Sequence, residues 1–152
     1  MAGLLQMPPV CAQTPYHLEG NEVIIPGTVT FKPGTALLDA DGIQALAIIK
    51  TYLEDKAMIS LLRVEGHVYN TSNDQSLSEA RAMAVCKWLT GAGIDCKRLL
   101  PVGFGPNKPI VAEGNNTRIA FFNAALRGRL IGGMPADGGG QLAGETCPST
   151  DH

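Results

Sequence analysis

The chain has 152 residues, which is enough for one domain with a hydrophobic core and hardly enough for two. Hydrophobic residues make up 45% and charged residues 17%, which is ordinary for a globular protein. The net charge of −2 gives no basic field for nucleic acid or anionic membranes, and no apolar run is long enough to span a bilayer. We therefore expect neither a nucleic-acid partner nor a membrane-spanning segment. Met1–Leu5 lacks the basic and apolar regions of a signal peptide, which says little about export.

The first part of the chain predicts an arm, a broken strand and a helix. Residues 1–20 contain three prolines and little periodicity, so we interpret them as an irregular N-terminal arm. Val23–Ile25 and Val29–Phe31 are rich in β-branched residues and predict a strand with a break between them. A helix is predicted to begin near Asp39 or Asp41, since either can cap its first turn.

A βαβ unit and a second helix follow. Met58–Val64 is an apolar run, which indicates a mostly buried central strand. A strand, a helix and a strand in this order predict a parallel pair with a right-handed crossover. Ser76 with Glu79 three positions later matches a capping box, which predicts the start of the second helix. Gly91 and Gly93 are expected to end it.

The last predicted elements complete a single domain. Leu99–Phe104 and Arg118–Leu126 are the third and fourth strands. The order β-α-β-α-β-β predicts an α+β fold, a two-layer sandwich with the helices packed on a mixed four-stranded sheet. We place this domain at residues 21–126. Residues 127–152 are rich in glycine and are interpreted as a tail.

The cysteines indicate disulfides rather than a metal site. No C-x-x-C pair occurs and the histidines are scattered, so we expect no metal. Four cysteines allow three full pairings, and we predict Cys86–Cys96 with Cys11–Cys147. This pairing would indicate an oxidising compartment. The alternative is four unpaired thiols.

One stretch has the features of a binding site. Val64–Ala82 is predicted to form a strand, a short polar loop and the start of a helix, with Arg81 one turn inside the helix. Backbone N–H groups at a helix start and a nearby guanidinium form a place that can hold a carboxylate. No nucleophile and base, metal or cofactor set can be assembled from these residues, so we expect neither an enzyme nor a cofactor.

Short motifs recur in one order along these elements and resemble a known family. They read FxxGTAxL at Phe31–Leu38, VEGH at Val64–His67, LSxxRA at Leu77–Ala82, GID at Gly93–Asp95, RL at Arg98–Leu99, GxG at Gly103–Gly105, KPI at Lys108–Ile110 and NxRIxF at Asn116–Phe121. In this order they resemble the OmpA-like C-terminal domain, which peptidoglycan-associated lipoproteins and flagellar motor stator proteins share. The resemblance covers about Val29 to Asn123.

The resemblance implies a non-enzymatic anchor to the cell wall, in the periplasm and associated with the outer membrane. Its usual ligand is the diaminopimelate residue of the peptidoglycan stem peptide, and other envelope proteins are further candidate partners. By resemblance, Arg81 takes the carboxylate of the ligand. Gly66 and His67 are expected to shape the turn. Asn70 and Leu77 belong to the loop and the helix start that complete the pocket.

The chain departs from the family pattern at the ligand site. Tyr69 stands where the family has the aspartate that takes the ammonium of the ligand, and Thr117 replaces the first arginine of an N-R-R motif. Asn116 and Arg118 of that motif remain. Asp74 stands in a shortened loop, where its carboxylate either moves toward the site of the missing aspartate or makes an ordinary loop turn.

Two roles remain open for Tyr69, for Arg81 and for the domain as a whole. Tyr69 offers a ring face to an ammonium, or it covers the core. Arg81 reads a carboxylate, or it forms a structural ion pair with Glu79, Glu65 or Asp74. The first functional hypothesis is binding of the peptidoglycan stem peptide through Arg81, weakly or with altered specificity. The alternative is a degenerate domain that serves as a structural or protein-interaction module in an envelope complex.

Overall fold

The computed structural model describes residues 15–69, 71–107, 117–131 and 140–147. Its elements are, in chain order, β1 (His17–Glu19), β2 (Glu22–Ile24), α1 (Ala40–Asp55), β3 (Ile59–His67), α2 (Asp74–Gly91), β4 (Leu99–Gly105), β5 (Arg118–Leu126), β6 (Arg129–Leu130) and β7 (Gln141–Leu142). A 3-10 turn at Cys96–Arg98 leads into β4.

The strands form one mixed sheet in the order β1-β2-β5-β3-β4-β7, with β6 paired to β5. β3 runs parallel to β4, across α2, and antiparallel to β5. The neighbouring parallel pair predicted across α1 is wrong, because β5 lies between β2 and β3 and is antiparallel to both. The α+β fold is confirmed, but the sheet has seven described strands instead of four. The four predicted strands are its centre, and the short strands β1, β6 and β7 lie in the segments interpreted as arm and tail. Val29–Phe31 is not a strand, since only Phe31 forms an isolated bridge there.

The structure agrees with the predicted start of α1 and differs from the predicted start of α2. Asp39 is the N-cap of α1, and its Oδ1 accepts hydrogen bonds from Gly42 N at 2.7 Å and Thr30 Oγ1 at 2.6 Å. α2 begins at Asp74 after the N-cap Asn73, so the prediction of a start at Ser76 is wrong. Ser76 lies inside the first turn, where its hydroxyl reaches only the carbonyl of Asn73 at 3.4 Å.

The core lies between the two helices and one face of the sheet. α1 contributes one apolar stripe and α2 another, and both are almost fully buried against β3 and β5. The hydroxyl of Tyr52 in α1 donates to Asn123 Oδ1 in β5 at 2.8 Å, so a buried polar contact links helix and sheet. The main buried side chains are Leu46, Ile49, Leu53, Leu62, Val64, Val85, Leu89 and Phe121.

Close approach of α2 to the sheet requires glycine at two positions. A Cβ on Gly66 would overlap the backbone carbonyl of Ser78, and a Cβ on Gly103 would overlap Glu79. Gly66 and His67 both belong to β3, so the expectation that they shape a turn is wrong. The physical role of Gly66 is to let the backbone of α2 pack directly on the strand.

The disulfide pairing differs from the prediction. Cys96 is bonded to Cys147, 51 positions later in the sequence. Cys86 is a thiol in the apolar stripe of α2 and is fully buried, which raises its pKa to about 12. The predicted pairs are therefore wrong, because the stripe of α2 turns Cys86 into the core while β7 runs beside β4 and carries Cys147 to the start of that strand. Cys11 lies outside the described residues.

Within the described ranges, neither helix has the length and apolar character needed to cross a membrane.

Substitution of Gly66 tests the packing of α2 on β3. We expect Gly66→Ala to lower the free energy of unfolding by about 1–3 kcal/mol, because the new methyl group forces the helix away from the strand. Gly91→Ala is the matched control, since a Cβ there meets no atom within 4 Å. That variant should be as stable as the parent or up to about 1 kcal/mol more stable. Urea unfolding followed by circular dichroism measures both, and equal stability of the two variants would contradict this packing.

Candidate functional site

Arg81 is the best-positioned of the predicted site residues. It lies on α2 one turn after Ser78, and 9% of its surface is exposed. Its Nε donates to the carbonyl oxygen of Thr35 at 2.8 Å, and its Cζ lies 4.8 Å from the centre of the Phe31 ring. Two residues of the segment before α1 therefore contact the guanidinium, one through its Nε–H group and the other through one face of its plane.

The structural ion pair considered for Arg81 is absent from the described part of the chain. Glu79 accepts a hydrogen bond from Gln75 at 2.7 Å. Glu65 is paired with Arg63, and Asp74 is bonded to Thr71. No described carboxylate lies within ion-pair distance of Arg81, whose pKa burial lowers from its ordinary value. An arginine nevertheless remains charged at neutral pH.

A cavity of about 280 Å³ opens beside Arg81. One wall is the segment at residues 28–31, and another is the start of β5 with Thr117, Arg118 and Ile119. Among the described residues the cavity therefore brings together two of the predicted site residues, Arg81 and Arg118. Burial lowers the pKa of Arg118, while the charges of Glu65, Tyr69 and Glu22 act in the opposite direction.

The other predicted site residues that the structure describes are not among those that line this cavity. Asp74 is the first residue of α2, and its Oδ1 accepts hydrogen bonds from the backbone N–H of Thr71, at 2.7 Å, and from the Thr71 hydroxyl. Tyr69 is half-buried, and its backbone N–H donates to Thr117 Oγ1 at 3.0 Å. Leu77 lines a neighbouring cavity of about 360 Å³ with Thr71 and other polar residues of the helix start. Asn70 and Asn116 lie outside the described residues.

The structure contains a buried cluster of charged residues on β3 that is not predicted from the sequence. Glu65 is 2% exposed, and its carboxylate bonds Arg63 Nε at 2.6 Å and His67 Nε2 at 3.0 Å. His67 also stacks on Phe104 at 5.0 Å between ring centres. The signal was available, because Arg63, Glu65 and His67 alternate along a strand and therefore lie on one face. This face is opposite to the one on which Gly66 meets α2, so His67 is a structural residue of the sheet.

No described group of three His, Cys, Asp or Glu residues could hold a metal ion. The cluster around Glu65 contains one carboxylate and two groups that donate to it, which is an arrangement for mutual charge compensation in a buried place.

The pH dependence of stability tests the Glu65 cluster. Burial acts to raise the pKa of Glu65, but the hydrogen bond from His67 and the charges of Arg63 and His67 bring it below its ordinary value of 4.5. The ionised carboxylate therefore stabilises the fold above that value, and this stabilisation is lost as the pH falls through the lower folded-state pKa. We expect Glu65→Gln to lose less stability than the parent in urea titrations between about pH 5 and about pH 3.

Glu54→Gln is the control for this series, because Glu54 forms an exposed pair with Lys50 at 2.8 Å. Its pH dependence should match that of the parent. Parallel loss of stability in the parent and in Glu65→Gln would show that the cluster does not act as described.

Comparison with known proteins places these features in one fold. A family model described as the OmpA family matches residues 30–121. The OmpA-like domain of FopA1 from Francisella tularensis subsp. tularensis SCHU S4 is 25% identical, with 73% of this chain and 79% of that chain covered and a TM-score of 0.53. Among curated protein sequences no significant match is found.

Two further solved structures share the fold at lower identity. The cell wall anchor of the T6SS from Pseudomonas aeruginosa is 22% identical, over 68% of this chain and 80% of that chain, with a TM-score of 0.58. The periplasmic domain of Helicobacter pylori MotB (residues 78–256) is 17% identical, over 70% of this chain and 78% of that chain, with a TM-score of 0.58.

Proposed function

This chain belongs to the OmpA family, and on that basis we propose that it anchors to the cell wall by binding the peptidoglycan stem peptide through Arg81. OmpA-like domains are non-catalytic modules of envelope proteins that typically bind peptidoglycan. The Pseudomonas aeruginosa relative is itself described as a cell wall anchor. The family is periplasmic, and association with the outer membrane is part of our proposal.

The observation that carries the proposal is the setting of the Arg81 guanidinium. Its Nε donates a hydrogen bond to the carbonyl of Thr35, and the ring of Phe31 packs against one face of its plane. No described carboxylate forms an ion pair with it. The side chain borders a cavity large enough for a small acidic group. A guanidinium fixed in this way can bind a carboxylate with little further loss of conformational freedom.

The Cys96–Cys147 disulfide supports the proposed compartment. Disulfides form and persist in oxidising environments such as the bacterial periplasm, and are rare in the cytosol. The bond fixes the end of the described tail beside β4. Other envelope proteins remain candidate partners of the domain.

The replacement of the family aspartate by Tyr69 supports altered specificity or weaker binding. A tyrosine is uncharged at neutral pH, so it cannot balance the ammonium of a diaminopimelate residue. Tyr69 does not line the Arg81 cavity, and so it does not fill the place that a ligand would take. For this reason we favour binding over the alternative of a degenerate domain with a purely structural role, which a cleft filled by Tyr69 would favour.

A pull-down with purified sacculi tests the role of Arg81. We expect Arg81→Ala to weaken retention roughly tenfold or more, because a charged hydrogen-bonding partner of the ligand is lost. Arg81→Lys should fall between parent and Arg81→Ala, since it keeps the charge and loses the planar fork. Thermal melting of each variant establishes that the fold is intact.

Lys87→Ala is the matched control, because Lys87 is an exposed cation on the same helix. It should bind sacculi as the parent does. If Arg81→Ala and Lys87→Ala are retained equally, Arg81 does not contribute to binding of the sacculi. If the parent itself is not retained, the structural alternative is the correct one.

A further inference from the structure

The hairpin that joins β5 to β6 is exposed at every position. Its turn is formed by Arg127 and Gly128, and each residue from Leu126 to Ile131 is open to solvent. Three of them are large and apolar: Leu126 is 38%, Leu130 60% and Ile131 40% exposed. No residue of this six-residue segment, which we call the hairpin tip, is acidic. A single exposed leucine is ordinary, whereas apolar side chains grouped with cations indicate an interaction surface.

The backbone of the hairpin tip is held in place. Arg127 and Gly128 both have a positive φ, 50° and 83°, as a two-residue type I′ turn requires. The N–H of Arg127 donates to the carbonyl of Met58 at 2.8 Å, and the N–H of Gly128 donates to Ser60 Oγ at 2.8 Å. Met58 is itself 38% exposed and adds a fourth apolar side chain beside the turn. The tip therefore presents its side chains on a fixed support.

The register of β6 on β5 places apolar side chains on both faces of the tip. Leu126 is paired with Arg129, and Ala125 with Leu130. Paired residues of two antiparallel strands point to the same face, and successive residues point to opposite faces, so Leu126 and Leu130 lie on opposite faces. A flat protein surface would cover only one of these faces. A layer of lipid headgroups, into which the tip inserts end-on, surrounds both.

The cations of the tip suit an anionic partner. Among the described residues no carboxylate forms an ion pair with Arg127 or Arg129. The acids that end α1 have other partners, since Glu54 pairs with a lysine of its own helix and Asp55 accepts a hydrogen bond from the hydroxyl of Tyr16. A guanidinium binds phosphate oxygens through several N–H groups. The net charge of −2 provides no long-range attraction to lipid, so the contact depends on the tip itself.

We propose that the hairpin tip docks on the surface of a membrane that contains anionic phospholipids. Its leucine and isoleucine side chains enter the region below the headgroups, and its two arginines bind lipid phosphates. The contact goes beyond wall binding and does not depend on it. The tip follows the end of β5, while Ile119 near the start of that strand lines the Arg81 cavity. The two surfaces are therefore about 25 Å apart, so one chain can contact the wall at one end and a membrane at the other.

Sedimentation of the full chain with lipid vesicles tests this proposal. One vesicle preparation is an equimolar mixture of phosphatidylethanolamine and phosphatidylglycerol, and the other is phosphatidylcholine alone. We expect half of the protein to sediment with the anionic vesicles at roughly millimolar lipid, because two arginines and three apolar side chains give modest affinity. Binding to phosphatidylcholine should be roughly tenfold weaker, and added salt should weaken binding to the anionic vesicles.

Substitutions in the tip test which side chains are responsible. Leu130→Ser and Arg129→Gln are each expected to weaken sedimentation with the anionic vesicles roughly three- to tenfold. Leu142→Ser is the matched control, because Leu142 is also 60% exposed but lies on β7 at the opposite edge of the sheet. It should bind vesicles as the parent does. Thermal melting of each variant establishes that the fold is intact.

Three results would overturn the proposal. The first is a parent chain that does not sediment with the anionic vesicles at about 10 mM lipid. The second is an equal loss of binding in Leu130→Ser and Leu142→Ser. The third is a parent that ignores vesicles but self-associates in sedimentation velocity, with Leu130→Ser abolishing this, since the tip is then a protein interface. The vesicles contain no peptidoglycan, so their result and that of the sacculus pull-down are independent.

Discussion

The direct packing of α2 on β3 determines where the candidate site lies. Gly66 has no side chain, so the backbone of Ser78 can approach the strand to a distance that any Cβ would prevent. The hydroxyl of Ser78 then accepts a hydrogen bond from the N–H of Gly105 at 2.9 Å and donates to the carbonyl of Gln75 at 2.8 Å, which joins the helix start to β4. Arg81 follows one turn later. Its position beside the cavity is therefore a consequence of this glycine contact.

Charged side chains have different surroundings on the two sides of β3. On one face, Arg63, Glu65 and His67 compensate one another within hydrogen-bond distance and are nearly excluded from solvent. On the other side of the sheet, Arg81 meets only a backbone carbonyl and an aromatic ring among the described residues. Buried charges without a countercharge are costly unless a ligand or a polar group satisfies them. In the proposed function, an acidic ligand supplies the countercharge for Arg81.

Periodicity gave the central elements, and contacts between distant segments account for the errors. The strand Arg118–Leu126 was predicted with its observed bounds, because alternation and β-rich composition act locally. The N-cap of α2 is predicted at Ser76, three residues after the observed Asn73, since the S-x-x-E pattern does not reveal that Asp74 bonds back to Thr71. The pairing of Cys96 with Cys147 depends on β7 lying beside β4, which no local pattern indicates. Arg81 was identified from its motif, while the contacts that fix it come from residues 31–35.

The most direct test of the account is an NMR titration of the full chain with the meso-diaminopimelate disaccharide tripeptide, observing backbone amides and the Arg81 Nε–Hε signal. If Arg81 binds the ligand, the largest shift changes fall on Arg81, on residues 28–31 and on residues 117–119, which border the cavity. Changes confined to residues 71–77 around the neighbouring cavity of Leu77, or an unchanged Arg81 signal at saturation, would contradict the claim that Arg81 reads the ligand.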